Sequence, residues 1–174
     1  MHSDKRQQHG GAATMIMETM ETAPLNPERI EAFFGRMVTM LNEASLALMC
    51  SIGHQTGLFD TMAALPPSTS QDIASAAGLN ERYVREWLGA MATGHIVEYD
   101  SERGVYTLPP EHAVALTRGG GPNNMAAVTQ FIPLIGNVEE QIIESFRHGG
   151  GVPYEAYPRF QQVMAEAVRQ RPRE

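Results

Sequence analysis

The stretch TSQDIASAAGLNERYVREWLGAMATG, residues 69–94, reads as two short helices separated by one tight turn. The Thr69 hydroxyl can accept the backbone N–H of Asp72, and Asp72 places negative charge in the first turn, where the helix dipole favours it. Ile73, Ala76 and Ala77 make one apolar face. Gly78 suits the left-handed conformation that ends a helix, and Leu79 can fold back to close the turn. Asn80 is a second N-cap, after which Tyr83, Val84, Trp87, Leu88 and Met91 recur at helical spacing until Gly94. Beyond it, His95–Tyr99 and Val105–Leu108 are β-prone segments flanking Asp100-Ser101-Glu102-Arg103-Gly104, whose glycine suits a tight hairpin. This order of helix, turn, helix and hairpin predicts a winged helix-turn-helix.

The charge on that unit argues against the use most often made of it. A winged DNA reader neutralises phosphates with Lys and Arg along its second helix and its wing. Between Gln55 and Leu108 only Arg82, Arg85 and Arg103 stand against Asp60, Asp72, Glu81, Glu86, Glu98, Asp100 and Glu102. The wing tip carries Asp100 and Glu102, and Glu81 to Arg85 is the favourable i, i+4 pairing for a solvated, self-neutralised face. Nucleic acid is therefore not the expected partner.

The whole chain agrees. Its 174 residues carry a net charge of -7 and 43% apolar content, enough for a globular core and ill-suited to nucleic acid or an anionic membrane surface. Nothing approaches the ~20 consecutive apolar residues of a membrane span, and the polar start Met1–Gly11 has no signal-peptide core, so a cytoplasmic location is expected. Cys50 is the only cysteine. It lies in the apolar run Leu46–Ile52, which points to burial rather than reactivity. Lys5 is the only lysine among 13 basic residues, a bias expected of a GC-rich bacterial genome.

Working outward, residues 1–24 lack periodicity and are expected to form a disordered tail, within which Met15, Met17 and Met20 are alternative starts. Asn26 with Pro27 opens a long helix, residues 25–54, whose stripe of Ile30, Phe33, Phe34 and Met37 broadens until it is apolar on almost all sides near Ala47–Ile52. The C-terminal half is then the first core helix of the winged unit, residues 55–118. The N-terminal half needs another cover: a homodimer interface through Ile30, Phe33, Phe34 and Met37 is expected to supply it, the alternative being an intrachain contact with the helices after residue 120. Residues 119–174 form a helical bridge. It is punctuated by Gly119-Gly120-Gly121 and Gly149-Gly150-Gly151, both read as hinges, and ends in an amphipathic segment with Phe160, Val163, Met164 and Val168. The expected fold class is mainly α with one small β-hairpin: a winged helix-turn-helix with a long N-terminal dimerisation helix and a C-terminal helical bridge.

No catalytic constellation is evident. Neither glycine triplet has the preceding strand or the spacing of a phosphate-binding loop. His2, His9, His54, His95, His112 and His148 form no HxxxH pair and have no thiolate neighbours, so no metal site is expected. His54 and His95 read as hydrogen-bonded residues at element ends, and His148 has no nucleophile spaced to use it as a base.

The strings Gly57-Leu58-Phe59-Asp60, Thr69–Leu79, Asn80-Glu81-Arg82-Tyr83-Val84-Arg85-Glu86-Trp87-Leu88 and Tyr106-Thr107-Leu108-Pro109-Pro110-Glu111-His112 resemble the N-terminal part of bacterial S-adenosylmethionine-dependent small-molecule O-methyltransferases. Gly149–Phe160 resembles that family's bridge into its catalytic domain, so the resemblance runs from Asn26 to Met164. The family's cofactor motif, Asp/Glu-x-Gly-x-Gly-x-Gly after a first strand, occurs nowhere in residues 1–174. The resemblance thus implies a non-catalytic dimerisation and substrate-lid region, with S-adenosylmethionine held only where the catalytic domain is supplied, a separate chain being one source of it. In that setting Tyr154, Tyr157, Phe160 and Met164 would line the cofactor or substrate site. For the chain alone the expectation is no catalytic residue and no cofactor. The competing readings are a winged-helix DNA-binding regulator and a small-ligand binding dimer derived from the enzyme.

Overall fold

The structure, a computed structural model, describes residues 24–169. The tail expected over residues 1–24 lies, but for its last residue, outside them. Two units are distinguished, one ending at Asn42 and the other beginning at Glu43.

Helix α1, Pro27–Thr56, starts where the sequence predicts: the Asn26 side chain accepts the N–H of Arg29 at 3.1 Å. Within the first unit Phe33 and Phe34 are 59% and 67% exposed, Ile30 is also exposed, and Met37 is half-buried.

In the second unit the final turns of α1 bury Cys50, Ser51, Gly53 and His54. They are followed by α2 (Leu58–Ala64), α3 (Ser70–Ala77) and α4 (Glu81–Thr93). The local chemistry that sets α3 and α4 is the chemistry read from sequence. Thr69 and Asp72 form a reciprocal capping box, and Gly78 closes α3 at φ 67° while Leu79 N–H returns to the Ala74 carbonyl. Asn80 accepts the N–H of Arg82 at 3.1 Å. Phe59, Ile73, Val84, Trp87, Leu88 and Met91 fill the core between these helices. The Trp87 ring meets Phe59 edge-on at 5.2 Å and donates its indole N–H to the Met49 carbonyl at 2.9 Å. Gly53 permits that contact, since a Cβ there would sit 2.5 Å from Trp87 and 2.7 Å from Phe59.

The wing is shorter than expected. Strands β1 (Glu98–Asp100) and β2 (Val105–Thr107) pair antiparallel with Tyr99 opposite Tyr106. His95 is not part of a strand: it takes φ 56° to carry the chain out of α4, and Ile96 N–H bonds back to the Met91 carbonyl. Ser68 adds a third, single-residue bridge to Tyr106 that its proline-flanked sequence did not announce. The Asp100 carboxylate accepts the N–H groups of Glu102 and Arg103 at 3.0 and 3.1 Å, so one acid at the wing tip closes its own turn.

After the wing come α5 (Pro110–Leu116), a 3-10 turn over Arg118–Asn123, α6 (Met125–Val128), α7 (Phe131–Gly136) and α8 (Glu139–His148). A short 3-10 turn, Tyr154–Ala156, precedes α9 (Phe160–Arg169). The expected hinge at Gly119–Gly121 is corrected here. A Cβ on Gly120 would fall 1.9 Å from the Val114 carbonyl oxygen, so this glycine is pressed against α5 and belongs to a packed turn. Asn124 caps α6 by accepting the Ala127 N–H at 3.1 Å. Among the described residues the fold is mainly helical with one small hairpin, and no helix is long and apolar enough to cross a membrane.

Candidate functional site

The bridge residues singled out in the sequence come together in part. Tyr154 and Phe160 pack as tilted rings at 5.3 Å between centroids, and Tyr157 and Phe160 at 6.0 Å. Tyr154 remains 69% exposed, and Met164, one turn along α9 from Phe160, is also exposed. Tyr157 faces a cavity of about 330 Å³ whose other walls are Ile142, Ser145 and Phe146 of α8 with Gly151 and Val152. Phe146 lies at its rim, 89% exposed. An apolar, aromatic ligand suits this lining. S-adenosylmethionine does not: among the described residues no carboxylate lines the cavity to take the ribose hydroxyls or the ammonium group, and its volume is at the lower end for a small-molecule site.

Beneath this aromatic cluster lies a polar network that sequence reading missed. His54, in the last turn of α1, is 1% exposed, and its Nε2 meets Glu166 Oε1 of α9 at 2.8 Å. The other Glu166 oxygen accepts from Gln130 Nε2 at 3.0 Å, and Gln130 Oε1 accepts from Arg159 Nη2 at 3.0 Å. Arg159 also donates to Gln55. On the far side, Arg118 donates to the His54 carbonyl at 2.8 Å, pairs with Asp60, and places positive charge at the C-terminal end of α1, where the helix dipole favours it. Burial pushes the Glu166 carboxyl upward, but hydrogen bonds from Gln130 and His54 and the charges of His54 and Arg118 outweigh it and hold the group below its ordinary range. Among the described residues, His54 Nδ1 and Asn124 Nδ2 are buried without a hydrogen-bond partner. The expectation of a hydrogen-bonded His54 at an element end holds. Its partner lies 112 residues away, and local pattern carries no signal for that.

The surface equivalent to a DNA-reading face offers little unpaired positive charge. Arg85 is drawn to Glu81 at 3.7 Å, and Glu81 also accepts from Ser70. Tyr83 stands 72% exposed on α4. A larger open cleft of about 810 Å³ beside the wing mixes Arg103, His95 and His112 with Glu98 and Asp100, and His112 is already bonded to the Ile96 carbonyl. His148 pairs with Glu144 at 3.3 Å on the exposed face of α8. Among the described residues no three His, Cys, Asp or Glu side chains converge as metal ligands do.

The sequence of residues 44–118 matches the Rv2258c-like winged HTH domain. This segment is a winged helix-turn-helix domain, similar to the Rv2258c-like one. The fold likeness extends beyond it. Mitomycin 7-O-methyltransferase MmcR superposes with a TM-score of 0.63 at 18% identity, covering 83% of this chain and 46% of the other. The N,N-8-amino-8-demethyl-D-riboflavin dimethyltransferase RosA of Streptomyces davawensis gives 0.61 at 23% identity over 77% of this chain and 42% of its own. Human N-acetylserotonin methyltransferase, solved with SAM, gives 0.59 at 14% identity over 84% and 46%. The chain therefore spans less than half the length of the methyltransferases whose fold it shares. Among curated proteins no sequence matches.

Proposed function

We propose that this chain is the dimerising, substrate-lid region of an S-adenosylmethionine-dependent small-molecule methyltransferase, and that it neither binds the cofactor tightly nor transfers methyl groups by itself. The observation that carries the reading is the reach of the fold likeness. It covers 77–84% of the chain, well beyond the winged domain at residues 44–118, and so takes in more than a helix-turn-helix shared with DNA readers. The exposed Ile30, Phe33 and Phe34 of α1 support a homodimer, since three apolar side chains on one helical face gain from being covered by a second copy. Tyr157 and Phe146 around the bridge cavity support a wall for an apolar or aromatic acceptor. The acidic wing and the self-paired α4 fit a scaffold that meets protein rather than phosphate.

Calorimetric titration of the 174-residue protein with S-adenosylmethionine tests the reading directly. No heat of binding is expected at micromolar cofactor, and low-micromolar affinity overturns it. Mobility shift with duplex DNA at low salt separates the regulator: binding that falls steeply with salt would restore that class.

A further inference from the structure

The segment from Gly149 to Arg169 is fastened to the rest of its unit in an unusual way. It begins with three consecutive glycines, all at positive φ (76°, 95° and 73°), and a Cβ on any of them would meet nothing within 4 Å. Their conformation is thus permitted by glycine and not imposed by packing. Beyond them, the Tyr154, Tyr157 and Phe160 rings pack on one another and give the segment internal structure. Its purchase on the neighbouring helices is in large part polar, beside the half-buried Val152, Tyr157 and Phe160. Among the described side chains of residues 149–166, Val163 alone is fully buried. Hydrogen bonds between side chains add to the fastening: His54 and Gln130 receive Glu166, and Gln130 and Gln55 receive Arg159. Arg159 holds a left-handed backbone, φ 60°, an arrangement a non-glycine residue keeps only where its surroundings secure it.

We infer that residues 149–169 are a hinged strap, latched onto the end of α1 by the Glu166 and Arg159 network, whose release opens the cavity beside α8. The strap contributes Gly151, Val152 and Tyr157 to that cavity while α8 contributes Ile142, Ser145 and Phe146, so lifting it removes one wall. The groups facing Glu166 are His54 from α1, Gln130 from between α6 and α7, and the more distant Arg118 charge from the 3-10 turn. All of them favour the ionised latch. The strap follows from its own geometry and stands or falls separately from the methyltransferase reading.

Hydrogen–deuterium exchange of the full chain at neutral pH tests it with Glu166→Ala and the milder Glu166→Gln. The expected result is that amides of 160–169 exchange about tenfold faster in both variants, the effect of losing one charge-assisted hydrogen bond, while those of 81–93 stay within about twofold of the parent. Unchanged protection of 160–169 in the Gln variant overturns the latch. So does a loss spread equally into 81–93, which marks a general core contact. If Glu166→Ala fails to fold, the Gln variant decides by the same criterion.

Discussion

Gly53 sits under two aromatic rings that have no room to retreat, and replacing it by alanine sets two effects of opposite sign against each other. In the interior of a helix, Gly→Ala gains up to about 1 kcal/mol from reduced backbone freedom in the unfolded chain. Against that, the new methyl would lie 2.5 Å from Trp87 Cζ2 and 2.7 Å from Phe59 Cε2, both belonging to side chains no more than 4% exposed. Overpacking a rigid core site costs about 1–3 kcal/mol, and with rings on two sides the upper end applies. The net expectation for Gly53→Ala is a loss of about 2 kcal/mol, after the helix gain is subtracted from the packing cost. Gly89, in the middle of α4, offers open space: a Cβ there would meet nothing within 4 Å, so Gly89→Ala should be stabilising by up to about 1 kcal/mol. Urea denaturation followed by Trp87, the only tryptophan, reads both variants. A Gly53→Ala protein as stable as the parent would refute the packing argument, because it would mean that the rings can separate.

Three further outcomes follow from the same geometry. The Glu166 carboxyl lies below its ordinary value of 4.5 in the folded state, so its contribution to stability is present above that pH and is lost as pH falls through the depressed folded value. Glu166→Gln should therefore lower stability at neutral pH and flatten the acid limb of the stability profile below about 4.5, and an unchanged acid limb contradicts the assignment. Burial pushes the Cys50 thiol up to about 11, so at pH 8 a thiol reagent should react only as fast as the protein opens, and full reaction with the native chain at a rate indifferent to urea would count against its burial. Asp100→Ala removes the acceptor for two N–H groups in the wing turn and should speed amide exchange at Glu102 and Arg103 without changing that of α3. Equal exchange in both proteins argues that the turn is held otherwise.

What the sequence made legible was local. The Thr69 cap on Asp72, the Gly78 exit and the Asn80 cap each depend on residues within five positions of one another, and each formed as read. The apolar spacing of Val84, Trp87, Leu88 and Met91 likewise named the buried face of α4. The departures are non-local. Whether a glycine triplet hinges or packs depends on what lies beside it, and Val114 settles that for Gly120. Propensity assigns His95 to a strand, but the exit geometry of α4 requires a positive φ there. At the candidate site, the aromatic residues are visible as residue types, whereas Glu166 and Gln130 look like ordinary polar positions. Their pairing with His54 exists only once the chain has brought α9 against the end of α1.

Sedimentation velocity of the 174-residue protein tests most directly whether the N-terminal stripe is a self-association surface. The expected result is a dimer at micromolar concentration that dissociates in the double variant Phe33→Asp, Phe34→Asp, with Trp87 fluorescence unchanged because those side chains lie outside the winged core. A parent protein that sediments as a monomer throughout that range, or a dimer indifferent to the two substitutions, contradicts it.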